Sequence, residues 1–193
     1  MIERLQENLL QTLPFTEEEL AMILPAFEER TLARKTMLLR DGEVARHLYF
    51  LVQGSIRHYL TIDGVEKTCF VSLPGQWFTV LGSFTSGTPS DNYLQALETS
   101  VVYAIEKGAL HDLYARCPKL ESFSRIIMER TTKMIIQLSS LLSAHKPEVR
   151  YANLLREQPE YFQSVSQKYI ASMLGIQPES LSRIRKRMAT QKG

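Results

Sequence analysis

The stretch 165–190 reads VSQKYIASMLGIQPESLSRIRKRMAT, and its spacing decides the architecture of this end of the chain. Ser166 suits a helix N-cap, and Tyr169, Ile170, Met173 and Leu174 follow at threes and fours, so a short helix with one apolar face is expected. Gly175 comes directly after, where a turn with positive φ wants a residue without Cβ. Pro178 fits the first position of a second helix, and Glu179 sits where the helix dipole favours negative charge. Leu181, Ile184 and Met188 would turn that helix's apolar side inward. The pattern predicts a helix-turn-helix.

The opposite side of the second helix carries Glu179, Ser180, Arg183 and Arg187. A helix held away from the protein body in this way fits a DNA major groove. Arg183 can take guanine O6 and N7 together, Glu179 can accept from a cytosine amino group, and Ser180 can bond either kind of base edge. These are the candidate base contacts. Gln167, Lys168, Arg185, Lys186 and Arg187 are the candidate phosphate contacts, which position without reading sequence. Charge agrees with this reading. Arg183, Arg185, Lys186, Arg187 and Lys192 follow with no acid after Glu179, on a chain of formal net charge +2. Double-stranded DNA is the anionic partner such an end suits.

Upstream, Leu120, Phe123, Ile127, Met134, Leu138, Leu141 and Leu142 recur at helical spacing between Pro118 and Ala144. One small domain hardly covers so long a stripe, so part is expected on the protein body and part against a second copy. Phe123, Ile127, Met134 and Leu138 are the candidate dimer-helix residues; a single core helix inside a monomer is the other reading. Pro147 opens a further helix, with Val149, Ala152, Leu154 and Leu155 inward and Pro159 past its end.

From about Thr31 to Glu106 the pattern is different. Runs such as LYFLVQG, SIRHYLTIDG, KTCFVSLPG, NYLQALE and VVYAIE alternate with turn residues, and Gly42, Gly54, Gly64 and Gly75 punctuate them at about ten-residue intervals. Asp63-Gly64 between two alternating runs is a hairpin signal. Short strands so spaced predict an antiparallel β-roll, or jelly roll. Ahead of them Leu5, Leu9 and Leu10 suggest one helix, and Thr16 with Glu19 suggests a capping box opening another, with Leu20, Ile23 and Leu24 inward.

Composition excludes several classes. Hydrophobic residues at 44% and charged residues at 23% are the balance of a folded soluble chain. Cys69 and Cys117 stand far apart, which fits a reducing compartment and excludes a disulfide scaffold, a zinc knuckle or a four-cysteine cluster within one chain. The start MIERLQENLL carries acids and reads as no signal peptide, and no apolar run approaches the roughly 20 residues that span a bilayer. A cytoplasmic protein without a membrane partner is expected. His47, His58, His111 and His145 form no H-x-H pair for a cupin-type metal, and no G-x-S-x-G, H-E-x-x-H or P-loop is present, so an enzyme is not expected.

Over essentially its full length the chain resembles the cyclic-AMP receptor protein/FNR family of bacterial regulators. The likeness rests on DGEVARHLYFLVQGSIRHY, on PGQWF at 74–78, on the long helix, and most specifically on GIQPESLSRIRKR. The resemblance implies an α+β chain: a cyclic-nucleotide-binding-like sensor roll over 1–115, a long connecting and dimerisation helix over 116–145, and a helix-turn-helix domain over 146–193. It implies a homodimer reading a palindromic operator with half-sites roughly 34 Å apart, and RNA polymerase as a partner if the protein activates. It also puts Glu179, Ser180 and Arg183 at base-reading positions.

Two departures stand out. The family continues past its recognition helix into a β-hairpin wing, whereas this sequence stops at Gly193, so fewer phosphate contacts are expected. Thr79 and Val80 stand where the family's nucleotide binders have Gly-Glu, and Ser90 and Asp91 where they have Arg followed by Ser or Thr. No Lys or Arg lies between Lys67 and Lys107, which argues against the usual cyclic-AMP response. Phe70, Trp77, Phe78, Val80, Phe84, Ser90, Asp91 and Tyr93 are the candidate effector-pocket residues. Their rings either line a site for an unidentified apolar small molecule or simply fill the core. No cofactor is fixed by the sequence; a haem would need His47, His58 or Cys69 as axial ligand. The alternative to a DNA-reading regulator is a ligand-binding or protein-interaction module of the same descent that has lost its grip on DNA.

Overall fold

The computed structural model describes residues 1–143 and 146–190; Ala144, His145 and Lys192, named above, lie outside the described residues. Helix α1 (Ile2–Thr12) buries Leu5 and Leu9 completely, while Leu10 turns out to be exposed. Helix α2 (Glu17–Ile23) opens with the expected capping box: Glu19 N–H donates to Thr16 Oγ1 at 3.2 Å, and Thr16 N–H donates to the Glu19 carboxylate at 2.7 Å. Pro25 then confines Leu24–Ala26 to a single 3-10 turn.

Eight strands follow: β1 (Glu28–Leu32), β2 (Met37–Leu39), β3 (His47–Gln53), β4 (Ile56–Ile62), β5 (Val65–Ser72), β6 (Trp77–Phe78), β7 (Asn92–Ala96) and β8 (Ser100–Glu106). They form two four-stranded antiparallel sheets, ordered β1-β8-β3-β6 and β2-β7-β4-β5. This is the α+β roll the sequence predicts. At the β4–β5 hairpin Asp63 (φ 51°) and Gly64 (φ 76°) both take left-handed φ, so the twist of the turn matches that of the strands. Strands β3 and β8 are buried on both faces for most of their length, because helices cover the side that faces away from the roll. Trp77 shows that cover: its ring packs against Phe27, Phe50 and Phe123, and its Nε1 donates to Asn8 Oδ1 of α1 at 2.8 Å.

A short helix α3 (Leu81–Ser86) bridges β6 and β7; α4 (Lys107–Arg116) leaves β8 and leads into α5 (Pro118–Ser143). Here the sequence reading needs correction. Phe123 and Leu138 are 2% and 7% exposed and pack within their own chain, with Ile127 and Met134 partly buried beside them. The apolar residues that α5 leaves to solvent are Met128, Ile135 and Ile136, which the predicted stripe passes over. The first half of the helix lies on the roll core and its later part on a second core around the C-terminal helices, and those two contacts take up the predicted stripe except for Leu141.

The remaining helices are α6 (Pro147–Glu157), α7 (Tyr161–Ser164), α8 (Gln167–Met173) and α9 (Pro178–Thr190). Helix α6 buries Tyr151 and Leu154, whereas the expected Val149 is exposed. The second core joins Phe70, Val71 and Leu73 of the roll to Tyr161, Ile170, Leu174 and Leu181. The helix-turn-helix is therefore docked on the roll, along edge strand β5.

Gly54 links β3 to β4 with φ +89°, and a Cβ built there would lie 2.2 Å from Ser100 Oγ and 2.8 Å from Ser100 Cα. Gly64 has φ +76° but open space around it. Gly64→Ala should therefore cost about 1 kcal/mol, the strain of left-handed φ alone. Gly54→Ala should cost about 3 kcal/mol or more, strain plus clash, as read from the midpoint shift in urea unfolding.

Candidate nucleic-acid interface and the adjoining cavity

Helices α8 and α9 meet at a Schellman-type turn: Ile176 N–H donates to Ala171 O at 3.0 Å and Gly175 N–H to Ser172 O at 3.1 Å, with Gly175 at φ +64°. The guanidinium of Arg150 in α6 donates to Leu174 O at 2.8 Å, tying the turn to the domain body. Ser166 occupies the N-cap position of α8, but its side chain makes no cap hydrogen bond. Leu181 and Ile184 are buried and Met188 packs beside them, as their spacing required.

Glu179, Arg183, Arg185, Lys186 and Arg187 are exposed on α9, and Gln167 and Lys168 are exposed at the start of α8. Ser180 is half-buried, and its Oγ accepts from Arg183 Nη2 at 3.2 Å. Arg187 is paired with Glu148 of α6 at 2.9 Å, which neutralises part of the charge it was expected to offer a phosphate. The exposed Ser182 was overlooked by the sequence reading. At about 100° per residue it projects beside Glu179 and Arg183, opposite Leu181 and Ile184, and that arithmetic needs no structure. The outward face of α9 thus runs Glu179, Ser182, Arg183, Lys186.

The candidate effector residues separate into two groups. Phe70, Trp77, Phe78 and Val80 border a cavity of about 590 Å³ between the roll, α5 and the helix-turn-helix turn, along with His58, Asn92, Ile135, Leu142 and Gly175. Phe84, Ser90, Asp91 and Tyr93 do not line it. Phe84 fills the roll core, Ser90 is buried and accepts from Asn92 N–H at 2.9 Å, and Asp91 is exposed and accepts from Asn92 Nδ2 at 2.7 Å. Tyr93 stacks on Tyr59 at 4.7 Å. The cavity does have cationic neighbours, Lys67 of β5 and Arg150 of α6. The sequence reading missed Arg150 because it looked for a cation only in the loop leading to β7. Among the described residues no carboxylate lines the cavity. Thr79, at the position of the family's glycine, donates its hydroxyl to His47 O at 2.9 Å.

Among the described residues, His47 (β3), His58 (β4) and His111 (α4) lie on separate elements, and no group of three or more His, Cys, Asp or Glu is placed to hold a metal ion. No helix of the described residues is long and apolar enough to cross a membrane.

A β-roll feeding a long helix and a helix-turn-helix is an architecture that suits a transcription regulator, and the comparisons agree. Residues 29–117 match the cyclic nucleotide-binding domain family. The fumarate nitrate reduction regulatory protein of Klebsiella oxytoca is 30% identical over 189 residues, covering 89% of this chain and 74% of that protein. The anaerobic regulatory protein of Pasteurella multocida (strain Pm70) is 29% identical over 187 residues, covering 89% of this chain and 68% of that protein. Among solved structures, FixK2 from Bradyrhizobium japonicum superposes with a TM-score of 0.74 at 20% identity, covering 86% of each chain. The Thermus thermophilus catabolite activator protein gives 0.56 at 21% identity, covering 96% of this chain and 88% of that one; at such identities these two speak for the fold. The chain belongs to the Crp/Fnr family of transcription regulators and is not an enzyme.

His58 forms part of the cavity wall. Its ring lies against Phe70 and Phe78, Nε2 is 2.9 Å from Ser72 Oγ, and burial holds its pKa down to about 3. An unfolded histidine titrates near 6.5. Between those values the unfolded chain binds a proton that the folded chain refuses, so stability falls as pH drops from 6.5 towards 3. The slope from this group is at most about 1.4 kcal/mol per pH unit. His58→Gln should flatten the pH dependence of urea unfolding between pH 6.5 and 5, while wild type should lose about 1 kcal/mol more over the first unit.

Proposed function

We propose that the chain acts as a homodimer that reads a palindromic operator by inserting α9 into the major groove. The observation that carries this is the outward face of α9, where Glu179, Ser182 and Arg183 stand in solvent near the helix start while Leu181 and Ile184 anchor the opposite side. Arg183 would take a guanine and Glu179 a cytosine amino group, with Ser182 joining them and Ser180 acting through Arg183. Lys168, Arg185 and Lys186 would meet phosphates with Gln167, and Arg187 would do so only in part, because Glu148 competes for it.

Pairing is assigned to the middle of α5, where Met128 and Ile135 stand one heptad apart and Ile136 is 62% exposed. The division into a sensor roll, a connecting helix and a DNA-binding domain follows from the same reading, as does contact with RNA polymerase in the case of activation. The effector is proposed to be a largely apolar small molecule rather than cyclic AMP, because Phe70, Trp77 and Phe78 share the cavity wall with aliphatic side chains and no carboxylate among its lining residues is there to meet a ribose.

Selection of bound fragments from genomic DNA, with wild type and Arg183→Ala at one salt concentration, tests the reading. Wild type should enrich a two-fold symmetric site, and the variant should lose discrimination at one base pair per half-site by roughly 1–3 kcal/mol. Failure of wild type to enrich any site, alone and with cell extract as a source of effector, would sink the proposal. The dimer is tested separately by light scattering, where Ile135→Lys with Ile136→Lys should give a monomer that keeps its fold.

A further inference from the structure

A chain of side-chain contacts runs from the roll to the helix-turn-helix. Tyr93 of β7 stacks on Tyr59 of β4, with centroids 4.7 Å apart and planes 8° apart. The guanidinium of Arg57 lies 4.2 Å from the centre of the Tyr59 ring and 4.6 Å from that of Tyr169 in α8. Beyond Tyr169, the Lys168 ammonium stands 5.8 Å from the same ring. Arg57 is 2% exposed although it is a full cation. Its Nε donates to Thr68 Oγ1 at 2.8 Å and its Nη1 to Glu66 Oε2 at 2.6 Å. Thr68 extends the contact: its backbone N–H, on the free edge of β5, donates to Ser172 Oγ of α8 at 2.9 Å.

We propose that Arg57 is a positioning residue for DNA reading, a cation of the sensor roll that grips Tyr169 and sets the orientation of the helix-turn-helix. Three features support it. The grip falls on α8 while leaving the outward face of α9 open. The guanidinium is shielded from water, where attraction between a cation and a ring is strongest. Thr68, which Arg57 orients, also borders the cavity, so the grip and a candidate effector site share one strand. Lys168, a candidate phosphate contact, rests on the gripped ring, so its placement follows from the same contact.

The proposal rests on the DNA-reading function, and its test separates the two. Amide exchange of the full chain without DNA reads the grip directly. Tyr169→Leu removes the ring and Arg57→Met removes the cation at similar length; each should speed exchange at Thr68 and along α8 by roughly fivefold or more, with other roll strands unchanged. Tyr169→Phe keeps the ring and should restore protection. On the operator recovered with wild type, Tyr169→Leu should bind roughly tenfold more weakly, the scale of one shielded cation–ring contact, with a salt slope shallower by at most about one, since Lys168 is the phosphate candidate seated on that ring. Unchanged exchange in both ring and cation variants would overturn the grip. Unchanged or tighter operator binding by Tyr169→Leu, despite faster exchange, would overturn its positioning role. A wild type that binds no operator would count against DNA reading alone, and the exchange result would still decide the grip.

Discussion

Strand β5 lies at the edge of its sheet, and an edge strand leaves backbone donors and acceptors without partners. Here the C-terminal helices fill that edge. Tyr161 donates its hydroxyl to Val71 O at 2.8 Å, and Ser172 accepts from Thr68 N–H at 2.9 Å. Between these bonds Phe70, Val71 and Leu73 join the same core as Tyr161, Ile170 and Leu174. Apolar burial of this kind is worth about 1.5–3 kcal/mol per large side chain. Without this seam the helix-turn-helix would hang from α5 by its linker. With it, the recognition helix takes its bearing from the sensor roll.

The same seam bounds the cavity. Its wall is shared by β5, by α5 through Ile135 and Leu142, and by the turn at Gly175. A molecule filling that space would touch all three units at once, and its differential fit to two arrangements of the seam would set how far it shifts them. The wall combines the rings of His58, Phe70 and Phe78 with the cations Lys67 and Arg150.

Much of this was legible in the sequence wherever short-range chemistry decides the outcome. The Thr16–Glu19 box, the Asp63-Gly64 hairpin, the glycine turn at 175 and the proline start at 178 each depend on a few neighbouring residues. What could not be read depends on partners distant in sequence. Met134 and Ile135 are adjacent and equally apolar; only the position of the second core makes one of them partly buried and leaves the other exposed. Val149 is exposed where burial was expected for the same reason, since α6 instead buries Tyr151, whose ring packs against Phe162 of the short helix α7. No neighbouring residue singles out Arg57, because its partner Tyr169 lies far along the chain. Ser182 was within reach of the sequence, since counting helical angles alone places it beside Glu179.

In the function proposed, the outward face of α9 reads bases while its cationic neighbours hold phosphates. Equilibrium binding of the full chain to its selected duplex and to a scrambled duplex, across a series of salt concentrations, tests this most directly. The account predicts two nearly parallel lines of log affinity against log salt, because both duplexes release the same counterions. The selected duplex should lie roughly a thousandfold or more above the scrambled one throughout, the difference that base contacts contribute. Coincident lines would contradict it, leaving a basic surface that holds DNA without reading it.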